Sequence, residues 1–165
     1  MNNVINVQKV GIKFHEKIAN LILIYKEGKK LKKHEIKLIG FNENSVVIDY
    51  INQLKSQEAH EPYLKNTVDL QIIRLLSIVR DKLKGFSLQD SIEKNRSIDV
   101  INPDEDLNVV DEETLFRKKA VMDETFLTNQ KKPTDPDFQY DIEKNFDAEI
   151  IESSKWDSDE GDSGF

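Results

Sequence analysis

Two electrostatically different polymers are joined in series in this chain, and one packed domain does not accommodate both. Residues 1–85 carry 15 Lys/Arg against 9 Asp/Glu, a net of +6, whereas residues 86–165 carry 9 against 22, a net of −13. The asymmetry is steepest in residues 133–165, where 11 acids face only Lys144 and Lys155, and Pro133 and Pro136 open the segment. A segment of that composition cannot bury enough apolar surface to offset ~1–2 kcal/mol of backbone ordering per residue. The chain therefore reads as a mildly basic folded head followed by an acidic tail that is largely extended. Its 38% hydrophobic and 33% charged residues lie respectively below and above the usual globular share, as a polar tail requires.

The same arithmetic excludes several functions. A net charge of −7 argues against general nucleic-acid binding, which rests on phosphate neutralisation. The absence of cysteine removes disulfides, thiolate zinc sites, iron–sulfur clusters and thiol catalysis. The longest apolar run, residues 21–25, is far too short for a membrane span, and the opening Met1-Asn2-Asn3-Val4-Ile5-Asn6 has the character of no secretory signal. Neither membrane insertion nor secretion is expected, and the expected address is the cytosol or a structure bathed by it. Gly28-Lys29-Lys30 lacks the upstream glycine and following hydroxyl of a phosphate loop, and no dinucleotide fingerprint is present. His15, His34 and His60 stand apart in sequence, which predicts surface or turn residues and no metal site. No catalytic residue and no cofactor is expected. The 20 lysines against 4 arginines read as a compositional bias without functional content.

The head begins with strand patterns. Val10, Ile12 and Phe14 alternate, residues 20–26 form an aliphatic run, Gly28 sits in a turn, and residues 31–39 alternate again through Ile36 and Leu38 before Gly40. This predicts a small three-stranded antiparallel sheet, which needs helices over its apolar face. Asn44-Ser45 offers a cap for a helix to about residue 56. The strongest helical pattern is 67–84, with Ile72, Leu75, Leu76, Val79 and Leu83 in one arc and Arg74, Asp81 and Lys84 opposite. Gly85 is its stop, and Ser87 caps a short helix over 88–94. The fold class is α+β, with residues 1–95 as head, 96–132 as connector and amphipathic helix, and 133–165 as tail.

Beyond the head, a polar connector containing Leu107 leads to Asp111-Glu112-Glu113, whose acids suit the N-terminus of a helix reaching about residue 129. Leu115, Met122 and Phe126 lie along one side of that helix, and Phe116, Ala120 and Leu127 extend the stripe, interrupted by Lys119 and Asp123. Within the tail, Phe138, Tyr140 and Ile142 alternate among Asp137, Asp141 and Glu143, so an extended segment would present all three on one side. Such a pattern suits either docking onto the head or ordering on a partner. Trp156, the one tryptophan, is a second anchor set among acids.

These stretches resemble the nineteen-kilodalton centrosomal protein family. The resemblance runs through Gly11-Ile12-Lys13-Phe14, Leu21-Ile22-Leu23-Ile24-Tyr25, Tyr63-Leu64 and the helix with Leu76 and Arg80. It is strongest over Glu105-Asp106-Leu107-Asn108, Arg117-Lys118, Met122-Asp123-Glu124, Asn129-Gln130-Lys131-Lys132 and the segment from Asp135-Pro136 to Tyr140-Asp141-Ile142-Glu143, and it includes Trp156-Asp157. It implies a non-enzymatic adaptor at centrioles and basal bodies, with family members also at spindle poles. A centriolar scaffold including the FOP protein would recruit it. It would capture a Rab-like small GTPase in the GTP state, which helps load intraflagellar transport complex B and so permits cilium assembly. On that reading Leu107, Leu115, Met122, Phe126, Phe138, Tyr140, Asp141, Ile142 and Trp156 are the candidate partner-binding residues. The alternative is a structural centrosomal or axonemal assembly subunit whose acidic tail only solubilises it.

Overall fold

The computed structural model describes residues 5–16 and 18–140. Strands β1 (Asn6–His15), β2 (Ile18–Glu27) and β3 (Lys30–Lys37) are followed by helices α1 (Val47–Lys55), α2 (Glu61–Leu64), α3 (Asp69–Leu83), α4 (Leu88–Asp99) and α5 (Glu112–Asn129). The sheet is an antiparallel meander in the order β1-β2-β3, and the α+β class expected from the sequence is the class observed. Among the described residues, no helix is long and apolar enough to cross a membrane. The chain groups into two compact units, Met1–Asn129 and Gln130–Phe165.

Strand alternation decides which way the sheet faces. Leu21 and Leu23 are completely buried, while Ile22 and Ile24, on the other side of the pleat, are half-buried. The inner face joins Val47, Ile51 and Leu54 of α1, Leu64 of α2 and Ile72, Ile73, Leu76 and Val79 of α3 in one core. Two glycines end elements by adopting positive φ. Gly28 (φ 59°) makes the two-residue turn between Glu27 and Lys30. Gly85 (φ 92°) closes α3 with paired bonds, its own amide donating to Lys82 O and that of Phe86 to Asp81 O, both at 3.0 Å.

Three local expectations are corrected. The cap of α1 is not Asn44 or Ser45: Val46 occupies that position without a side-chain bond, and the Val47 amide donates instead to Glu113 Oε2 of α5, 3.3 Å away. Ser87 does cap α4, accepting from the Asp90 amide, but the helix continues to Asp99 because Asn95 and Asp99 are used by its neighbours. In the second unit, the prolines expected to deliver an extended chain sit at the second position of successive turns. Asp135 donates to Lys132 O at 2.9 Å across Pro133, and Phe138 to Asp135 O at 3.0 Å across Pro136. Residues 141–165, with the remainder of the expected extended tail, lie outside the described residues.

Truncating the centre of the core should be expensive. Leu76→Ala, at a position with no exposure, should lower unfolding free energy by about 2–5 kcal/mol in chemical denaturation, whereas Leu88→Ala, which is exposed, should change it by less than about 0.5 kcal/mol.

Candidate functional site

The face of α3 that carries Arg74 and Asp81 is not left to solvent. It is covered by α4 and α5, and a polar network fills the contact. Arg80 grips Glu113 of α5 through both ends of its guanidinium, at 2.7 and 2.9 Å, and also donates to Ser45 O. Glu113 thus pairs with α3 and caps α1 at once. Arg117, 3% exposed, donates to Asp99 Oδ1 at 2.5 Å and to Asn95 at both its side-chain oxygen (2.6 Å) and its carbonyl (3.1 Å). The second oxygen of Asp99 takes Arg74 at 2.7 Å. Asp81, 1% exposed, accepts from Ser91 at 3.0 Å and Lys94 at 2.8 Å. Lys118 donates to Val100 O and pairs with Glu105, pinning the connector between α4 and α5.

The charges respond accordingly. Hydrogen bonding to Glu113, working against partial burial, raises the Arg80 guanidinium further above its ordinary value. Burial pushes the Asp99 carboxyl upward, but the bonds from Arg117 and Arg74 outweigh it and leave the group below its usual range. The Thr114 hydroxyl and amide hold Asp111 low at the start of α5.

This network sets the rotation of α5. With Glu113 and Arg117 turned inward and 100° between successive residues, Leu115, Met122 and Phe126 share the opposite side. Leu115 is half-buried, Met122 is 38% exposed and Phe126 63%, with Phe116 and Leu127 also exposed. Leu115, Met122 and Phe126 therefore share one side of α5, with Lys118 and Lys119 at the positions between Leu115 and Met122, and Met122 and Phe126 are exposed, not core. Leu107 is half-buried in the connector. Phe138 is half-buried and Tyr140 exposed within the second unit, while Asp141, Ile142 and Trp156 lie outside the described residues.

Residue pattern alone missed the network. Its signal was the arginine count: three of only four arginines, Arg74, Arg80 and Arg117, make it, in a chain that otherwise uses lysine. Lysine cannot supply the planar fork that these sites use.

A second polar pair corrects the reading of the histidines. His34 Nε2 and His60 Nδ1 are 3.0 Å apart, His34 stacks on Tyr63 with ring centroids 3.8 Å apart, and Tyr63 packs edge-on to Tyr25. Among the described residues, no group of three or more His, Asp or Glu side chains is placed to hold a metal ion.

Fold and site together define a small α+β protein that exposes Phe116, Met122, Phe126 and Leu127 of α5 at its surface. The chain belongs to the CEP19-like protein family, which matches residues 8–157. It is 35% identical to the human centrosomal protein of 19 kDa over 158 residues, covering 94% of this chain and 96% of that one. It is 36% identical to the Bos taurus protein of that name over 155 residues (92% and 94%), and 34% identical to the Danio rerio protein over 161 residues (96% and 97%). No solved structure matches it.

Arg80→Ala should lower stability by roughly 2–3 kcal/mol, because it leaves Glu113 half-buried and unpaired. The Arg80→Ala, Glu113→Ala double variant should lose less than the sum of the two singles, as measured in a double-mutant cycle.

Acid should weaken the histidine contact. Burial first, and the neighbouring His60 second, hold the His34 imidazole below its ordinary value of 6.5. As pH falls through 6.5 the unfolded chain takes up the proton before the folded one does. The stabilisation is therefore complete above pH 6.5 and is lost as pH falls from there through the folded value. Denaturation midpoints at pH 7.5 and 5.5 should differ in the parent and differ less in His34→Phe, which keeps the stack on Tyr63.

Proposed function

We propose that the protein is a non-enzymatic adaptor of the centrosome and the basal body, and that α5 captures a GTP-bound Rab-like small GTPase. The observation that carries this reading is the exposure of Met122 and Phe126, in line with half-buried Leu115 on the side of α5 opposite the Glu113 and Arg117 contacts. An exposed amphipathic helix suits the apolar surface that a GTPase offers in its GTP state, with bulky side chains as anchors. Family membership and the centrosomal name of the relatives support the location. In this role the head is held by a centriolar scaffold that includes FOP, and the captured GTPase promotes entry of intraflagellar transport complex B and cilium assembly. The same adaptor serves at spindle poles. Phe138, Tyr140, Asp141, Ile142 and Trp156 extend the contact from the acidic segment, whose charge speeds encounter with a basic rim.

The test is titration of the full chain with the GTPase loaded with a GTP analogue or with GDP. Met122→Ala and Phe126→Ala should each weaken the GTP-state complex by about 30-fold, the equivalent of ~2 kcal/mol, with an unchanged melting temperature. Normal binding by both variants would make α5 a spacer.

A further inference from the structure

The sheet has a second face, which none of the described helices covers. Alternation places Lys9, Gly11 and Lys13 of β1 there, beside Ile22 and Ile24 of β2 and Lys33 and Lys37 of β3. Gly11 pairs with Ile22, and Lys9 with Ile24. Between them is an open recess of about 240 Å³, lined by Lys9, Gly11, Ile22 and Ile24 and the backbone between them. All four lysines are exposed, and Lys9 and Lys13 form no ion pair among the described residues.

Gly11 is the informative residue. It is not among the glycines with positive φ, and a Cβ built on it would meet nothing within 4 Å. Among the described residues, neither backbone conformation nor packing requires glycine at that point. Glycine weakens a strand interior, and in strands it marks places where another chain approaches closely. The recess it opens has an apolar floor and a basic rim, the arrangement of a pocket for an anchor side chain flanked by carboxylates.

We propose that the recess over Gly11 is a docking site for an acidic segment of a protein partner that carries one protruding aliphatic or aromatic side chain. The side chain seats against Ile22 and Ile24, and flanking Asp or Glu residues meet Lys9 and Lys13. A lipid surface fits less well. The isoleucines line the recess and so receive a group where a membrane anchor would insert one. Glu35 on the same face is already paired with Asn20 at 2.7 Å and Lys33 at 2.9 Å, which leaves Lys9 and Lys13 as the cations for the partner's acids. This surface is separate from the α5 stripe, so the site stands or falls independently of GTPase capture.

The experiment selects a random phage-displayed peptide library on the full chain, then titrates the enriched peptides by NMR and calorimetry. Enriched peptides should set an aliphatic or aromatic residue among Asp and Glu and should shift the amides of Gly11, Ile22 and Ile24. Gly11→Val fills the recess with a strand-favouring side chain. It should keep or raise the melting temperature and weaken binding by about tenfold or more. The Lys9→Glu, Lys13→Glu pair should weaken binding similarly and remove most of its salt dependence. Shifts that map elsewhere, or binding indifferent to Gly11→Val and to the charge reversal, would overturn the proposal. So would enrichment of no acidic peptide, with phosphatidylserine-containing vesicles bound through this face instead, or self-association that Gly11→Val abolishes.

Discussion

Arg117 enters the protein among Asn95 and Asp99 with almost no exposure, and Arg80 reaches from α3 to hold Glu113 by two parallel bonds. The rest of the molecule depends on these two grips. They join α5 to α3 and α4, they supply the missing N-terminal partner of α1, and they fix which side of α5 faces inward. Buried ion pairs are weak evidence for net stability, because desolvation offsets much of the attraction. What a bidentate guanidinium supplies is direction. An apolar seam tolerates sliding and rotation, whereas a fork on a carboxylate accepts one geometry.

That direction connects packing with function. Helices of a small domain ordinarily turn their apolar side to the core and their charges to water. In α5, by contrast, Arg117 and Lys118 are buried, while every residue from Met122 to Asn129 is exposed, Phe126 and Leu127 among them. A helix attached by its charges keeps its hydrophobic side available, at the cost of an exposed patch that a monomer with no partner has little reason to keep. The two proposed contact regions, the exposed side of α5 and the basic sheet face with its glycine recess, lie on different surfaces of the head.

Much of this was legible in the sequence because it rests on local periodicity. The alternation of Val10, Ile12 and Phe14 and the aliphatic arc of α3 set the sheet and the core, and Ser87 and Gly85 marked helix ends through ordinary capping chemistry. The stripe of Leu115, Met122 and Phe126 was legible as a stripe, but periodicity does not say whether such a stripe faces a core or a solvent-exposed surface. That was decided by Arg80, Arg74 and Arg117, whose partners lie 18 to 33 residues away. The α1 cap failed for the same reason, since Glu113 is 66 residues from Val47. His34 and His60 looked isolated because their pairing spans 26 residues, from β3 past α1 to the N-cap of α2. Pro133 and Pro136 were ambiguous in kind, since the fixed φ that suits an extended chain also suits the second position of a turn, and the bonds to Lys132 and Asp135 select the turn.

The central claim is that the charged grip docks the first half of α5 and leaves the second half free for a partner. Hydrogen–deuterium exchange of the full chain, alone and with the GTP-loaded GTPase, measures this directly. Amides of residues 114–118 should be protected in both states, close to those of α3. Amides of residues 119–129 should exchange rapidly alone and slow markedly on addition of the GTPase. Equal protection along the whole of α5 in the free protein, unchanged by the GTPase, would contradict the account.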